Sequence, residues 1–256
     1  MLLQGSGGGR WVEVAAEKHA AMPLPNLVFD TPLWLSLFTT GVAAIEGAVI
    51  GRQGRNPRYD VVGIFVLAVV LGLAGGIARD LLIGNTPVVA TRTPWYIVTV
   101  IGVTLLVIVA GRFIPPLTGM WFTLLDALTL GLYTAIATGY ALQAGVSVVG
   151  AVFIGVVAGS VGGVIVGLLQ GKTPAILVPG VFYVITALLG SIAYACINPW
   201  SSGMAAIACV GLVLVLRALS VHFNLGTKPL PVITAPDDPG TTRSDFGRER
   251  PPHQRL

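Results

Sequence analysis

Seven apolar runs dominate this chain, and each is about as long as a bilayer is thick. They lie near residues 32–51, 61–84, 95–111, 121–142, 148–171, 177–197 and 203–222. Backbone polar groups inside a bilayer must be satisfied within the segment, so runs of roughly 20 apolar residues read as spanning helices. Charge is too scarce to cover a soluble surface: Asp, Glu, Lys and Arg make up 10% of the chain, against about 25% in soluble domains. Mean hydropathy is +0.84. The expected fold class is an all-α polytopic membrane protein with seven transmembrane helices.

The first 30 residues form a polar, Gly-rich lead with no basic start running into an apolar core, so a removable signal peptide is not expected. Residues 31–222 form the seven-helix domain. The stretch 223–256 is rich in Pro, Gly and charge and reads as a disordered tail. Arg52, Arg55, Arg58, Arg112, Lys172, Arg217, Lys228 and the tail arginines follow odd-numbered spans. By the positive-inside rule this predicts a cytoplasmic C-terminus and an N-terminus outside. The same rule accounts for the net charge of +4, and no basic face suggests a nucleic-acid partner.

Two stretches nearly repeat each other. Gly75-Gly76-Ile77-Ala78-Arg79-Asp80-Leu81-Leu82-Ile83-Gly84-Asn85-Thr86-Pro87 recurs 87 residues later, from Gly162 to Pro174, with seven of thirteen positions identical. Asp60-Val61-Val62-Gly63 and Ser147-Val148-Val149-Gly150 extend the match at the same offset. Each copy belongs to a unit of three spans, repeat one over 31–112 and repeat two over 120–197, with the seventh helix (203–222) outside. An odd number of spans inverts the second unit in the membrane, so the expected architecture is an inverted 3+3 repeat plus a seventh helix. Weak points at matching places in such halves point to a substrate or ion pathway.

The glycines carry two readings. Gly155, Gly159, Gly163, Gly167 and Gly171 recur every fourth residue and form a ridge for tight helix packing. The added Gly75 and Gly162 point to a kink or local break, whose freed carbonyls could coordinate a cation in a wet cavity. Gly75, Gly76, Gly162, Gly163 and the hydroxyl of Ser160 are therefore candidate pathway residues.

Glu46, Arg79, Asp80 and Asp126 are the candidate pathway charges within the spans. Arg79 and Asp80 read either as an interfacial pair with a snorkelling arginine or as charges in the pathway wall. Their repeat partners are Val166 and Gly167, which predicts a pathway charged on one half and apolar on the other. Glu46 and Asp126 fall toward the predicted inner side, where acidic groups concentrate cations. Interfacial solvation is the rival reading for Glu46 and helix N-capping for Asp126. Lys172 reads as a cytoplasmic anchor or a contact for a lipid phosphate. No His, Cys or Ser constellation suggests a metal site or catalysis, so neither an enzyme nor a cofactor is expected.

These residues resemble the trimeric intracellular cation (TRIC) channels of prokaryotic type. The resemblance rests on Ala74-Gly75-Gly76-Ile77-Ala78-Arg79-Asp80 and on Asp126-Ala127-Leu128-Thr129-Leu130-Gly131-Leu132-Tyr133, and covers about residues 31–222. It implies a homotrimer with a potassium-permeable pore in each subunit, lined by kinked spans 2 and 5, with Arg79 near a lipid or pore-side site. Ala74, Val161, Val166 and Gly167 depart from the family pattern, so this chain lacks a symmetric arginine pair. Prokaryotic relatives of this type also carry a glycine-transporter label. A secondary transporter of a small zwitterion such as glycine is accordingly the rival expectation, and a transport-free scaffold the third.

Overall fold

The computed structural model describes residues 32–53, 59–111, 119–174, 176–177 and 183–223. Among these residues it contains eight helices and no strand. Seven are labelled here: α1 Leu33–Gln53, α2 Val61–Ile83, α3 Trp95–Ala110, α4 Met120–Gln143, α5 Val148–Leu169, α6 Tyr183–Ile197 and α7 Ser202–His222. The eighth is a single turn, Val89–Arg92, between α2 and α3. Five of the seven are long and apolar enough to cross a membrane; α3 and α6 are shorter apolar helices. At 1.5 Å per residue, the 16 residues of α3 extend about 24 Å. The polar lead, the C-terminal tail beyond Phe223, Arg55, Arg58, Arg112 and Lys228 lie outside the described residues.

The 87-residue repeat has a structural counterpart at both helix ends. Asp60 caps the start of α2 by accepting a hydrogen bond from the Gly63 amide at 2.8 Å. Ser147 caps α5 through the Gly150 amide at 3.2 Å. At the far ends, Gly84 (φ 81°) and Gly171 (φ 66°) are both left-handed, a region that L side chains with a Cβ avoid. The next amide folds back each time: Asn85 donates to the Asp80 carbonyl at 2.8 Å and Lys172 to the Gly167 carbonyl at 3.0 Å. This is the Schellman stop, which satisfies carbonyls that a helix end leaves open.

Within α1–α3 each helix packs against the other two, and the same holds within α4–α6. The triplets meet mainly where α2 crosses α5, and α7 packs on α4 and α6. Small residues permit the close crossings. A Cβ on Gly47 of α1 would lie 2.5 Å from the Leu67 carbonyl oxygen of α2. On Gly75 it would lie 2.6 Å from the Ala158 carbonyl oxygen of α5. Helices α1 and α4 are the most enclosed of the long spans; in α4, Leu130, Thr134, Thr138 and Ala141 are fully buried. Large apolar side chains such as Trp34, Leu105, Phe153 and Ile207 point outward, as a lipid-facing surface requires.

Both α2 and α5 run as uninterrupted helices through their double glycines. The local break expected from Gly75-Gly76 and Gly162-Gly163 is therefore not formed. Helical hydrogen bonding survives because the missing side chains are used for close approach: Gly75 faces Ala158 and Tyr133, and Gly162 faces Leu71. Gly76 differs from its neighbour, with nothing within 4 Å of where its Cβ would be.

Candidate functional site: two cavities separated by Tyr133

Two small cavities flank the crossing of α2 and α5. The first, here the Arg79 cavity, is lined by Ser36, Thr39, Thr40, Gly72, Gly76, Arg79, Asp80, Tyr96 and Tyr133, among others. It leaves about 20 Å³ for the centre of a water-sized sphere. The second, the Glu46 cavity, leaves about 10 Å³ and is lined by Glu46, Gly75, Asp126, Thr129, Tyr133, Gly159, Gly162, Gly163 and Tyr183, with Leu71 and Ala158. A volume of this kind near 10–15 Å³ admits about one water.

The two linings correspond through the repeat. Thr39, Gly72, Gly76 and Tyr96 of the first cavity precede Asp126, Gly159, Gly163 and Tyr183 of the second by 87 residues each. Among the residues that each triplet lends to the other's cavity, one pair corresponds too: Tyr133 enters the first and Glu46, 87 residues earlier, the second. The chemistry therefore differs at equivalent places, with Thr39 answered by Asp126 and Glu46 by Tyr133.

Tyr133 borders both cavities. Its hydroxyl donates to the carbonyl of Gly72 in α2. A helix carbonyl in the glycine-rich stretch is thus engaged, but by a tyrosine. Tyr133 is the residue that the two linings share, and its ring edge packs against Gly75.

Arg79 and Asp80 are buried within the helix bundle, 5% and 1% exposed. Arg79 Nε donates to Asp80 Oδ1 at 2.8 Å, and its guanidinium carbon lies 4.0 Å from the centre of the Tyr140 ring. Asp80 Oδ2 accepts from the Val89 amide at 2.7 Å, tying the short turn before α3 to α2. The pair is thus shielded by an aromatic face and a backbone donor, the satisfaction that a buried ion pair needs.

Asp126 lies well inside α4, whose N-cap position is Gly119, so capping is not its role. It pairs with Arg217 of α7 and accepts from the Tyr183 hydroxyl at 3.3 Å. Arg217 also lies over the Tyr183 ring, 4.8 Å from its centre. Arg217, counted among the basic residues that follow odd-numbered spans, lies inside α7, 8% exposed and turned into the helix bundle. A charge late in the seventh apolar run was the available signal for Arg217; Tyr96 and Tyr183, 87 residues apart, were a signal for the paired cavities.

Two further residues stand apart from this arrangement. Ser160 lines neither cavity; its hydroxyl turns back onto the Val156 carbonyl at 2.7 Å. Lys172 is exposed just beyond α5 and donates to Gln170 Oε1 at 3.2 Å. Among the described residues no group of His, Cys, Asp and Glu has the arrangement of a metal site.

A multi-pass α-helical membrane protein of the TRIC type is defined by this fold and its paired cavities. The solved structure of a TRIC trimeric intracellular cation channel orthologue from Rhodobacter sphaeroides is similar, with a TM-score of 0.68 and 29% identity over 75% of this chain and 98% of that one. A second solved TRIC cation channel matches with a TM-score of 0.67 and 27% identity over 81% and 100%. In sequence, the UPF0126 inner membrane protein YadS of Escherichia coli K12 is 29% identical over 195 residues, 75% of this chain and 92% of that protein. The UPF0126 membrane protein YvgT of Bacillus subtilis is 28% identical over 163 residues, 62% and 78% of the two chains. The family model described as glycine transporter matches residues 33–112 and 123–199. The chain belongs to that family, and its fold is that of the prokaryotic TRIC channels.

Proposed function

We propose that this protein is a channel for monovalent cations, potassium chief among them, with a pore inside each subunit of a homotrimer. The observation that carries the reading is the pair of repeat-matched cavities on either side of Tyr133, at the crossing of α2 and α5. The ion passes from one cavity to the other when the Tyr133 side chain swings away from Gly72. Hydroxyls of Ser36, Thr39 and Thr40 replace hydration water on one side, and Glu46 and Asp126 supply the negative field on the other. The two triplets are read as an inverted repeat, supported by matching caps, matching Schellman stops and matching cavity positions. The TRIC cation channels that share the fold support the same reading. Membrane lipid is the expected surrounding partner, and Lys172 a contact for its phosphate.

The test is flux. Purified protein in liposomes should release potassium down its gradient, and chloride flux should be far smaller. Potassium release equal to that of empty vesicles would overturn the reading.

A second reading, transport of a small zwitterion such as glycine, is favoured by one feature. The Arg79 cavity holds both signs of charge, with Arg79 and Asp80 paired at 2.7 Å, and the family description names glycine. It requires the pair to open for the carboxylate and ammonium of the substrate. Saturable glycine uptake without ionic current would support it against the channel.

A further inference from the structure

The Glu46 cavity contains two acids, of which Asp126 is ion-paired and Glu46 is not. Asp126 has Arg217 and the Tyr183 hydroxyl as partners. Glu46 is 3% exposed, and its Oε2 has no hydrogen-bond partner. Thr129, buried on the same cavity wall, also has an unpartnered Oγ1. The groups acting on Glu46 are Asp126, Thr129 and Arg217. With Arg217 engaged by Asp126, two ionised carboxylates and one guanidinium would carry a single negative charge in need of a proton or a counter-ion.

An unpaired carboxylate in a dry interior costs several kcal/mol, so it gains a proton or a counter-ion. The free space admits about one water-sized occupant. A divalent ion is a poor match, since the Glu46, Asp126 and Arg217 set carries at most one net negative charge. One loosely held monovalent ion fits both the charge and the room.

We propose that the Glu46 cavity is a binding site for one partly dehydrated monovalent cation, held by Glu46 and Thr129. Arg217 is the tethered cation that occupies Asp126 and so limits the site to one ion. This deepens the channel reading by naming a resting place for its ion. The seventh helix, outside the repeat, then sets the charge of a cavity built by the other two units.

The test is equilibrium binding to the full-length protein in detergent. KCl replaces choline chloride at constant ionic strength, and the unfolding midpoint is followed. Wild type should be stabilised by potassium with saturation, as a ligand selective for the native state requires. Glu46→Gln should weaken half-saturation by at least about tenfold, the loss of one charge-assisted contact. Thr129→Val should weaken it less. Arg217→Gln should make the potassium dependence steeper, because Asp126 becomes a second acceptor. If that variant does not fold, Arg217→Lys, which keeps the charge, should retain single-site behaviour.

Wild-type potassium dependence in Glu46→Gln would overturn the proposal. So would a midpoint that responds to pH but not to potassium, which would assign a proton to Glu46. The channel reading is tested separately: unitary currents without potassium binding would refute this site alone, and binding without currents would refute the channel alone.

Discussion

The hydroxyl of Tyr133 is bonded to the carbonyl of Gly72, which joins α4 to α2 through the residue that lines both cavities. If this contact holds the path shut, Tyr133→Phe should raise potassium flux several-fold while lowering stability by about 1 kcal/mol, the usual worth of one hydrogen bond. Tyr133→Ala should connect the cavities and leave the protein constitutively leaky. Liposome flux with both variants checks this; flux at the wild-type level in both would remove Tyr133 from the path.

The two glycines of the first pair should respond in opposite ways. A Cβ on Gly75 would meet the Ala158 carbonyl oxygen at 2.6 Å and Tyr133 Cδ1 at 2.7 Å, whereas a Cβ on Gly76 would meet nothing within 4 Å. Gly75→Ala should cost about 1–3 kcal/mol through overpacking. Gly76→Ala should be neutral or stabilising by up to about 1 kcal/mol, as expected for Ala replacing Gly in a helix. Thermal unfolding followed by circular dichroism separates the two.

Removing one half of the Arg79–Asp80 pair should be far worse than removing both. Arg79→Met leaves Asp80, 1% exposed, without its partner, a change that costs about 3–5 kcal/mol. The double variant Arg79→Met, Asp80→Asn should recover most of that loss. The second unit carries Val166 and Gly167 at the equivalent places, so the fold does not demand charge there. A double variant as unstable as the single one would contradict this account.

The matched caps should behave as matched residues. Asp60→Ala and Ser147→Ala should each lower stability by about 1 kcal/mol, the common value for an N-cap. Neither should alter ion selectivity, because both side chains lie at helix starts away from the cavities. Denaturation midpoints and reversal potentials measured on the same preparations test both statements.

Much of this was legible because the bilayer imposes length. The apolar runs near 61–84 and 203–222 became Val61–Ile83 and Ser202–His222, since an apolar stretch ends where the hydrocarbon does. The repeat was legible for a similar reason: Asp60 and Ser147, or Gly84 and Gly171, act through local geometry that the same spacing recreates. What stayed hidden was long-range. Arg217 meets Asp126 across 91 residues, and nothing in either segment names the other. Tyr133 reads as one apolar residue among many until α2 is placed against it. The double glycines were ambiguous in principle, because a missing Cβ serves a bend and a close crossing equally well. At Gly75 and Gly162 the helices are uninterrupted and the close crossing is formed.

The most direct measurement is a planar-bilayer recording of the purified wild-type protein under a potassium chloride gradient. The account predicts unitary current steps that reverse close to the potassium equilibrium potential. A bilayer without unitary steps, from protein that takes up glycine with saturation in liposomes, would contradict it.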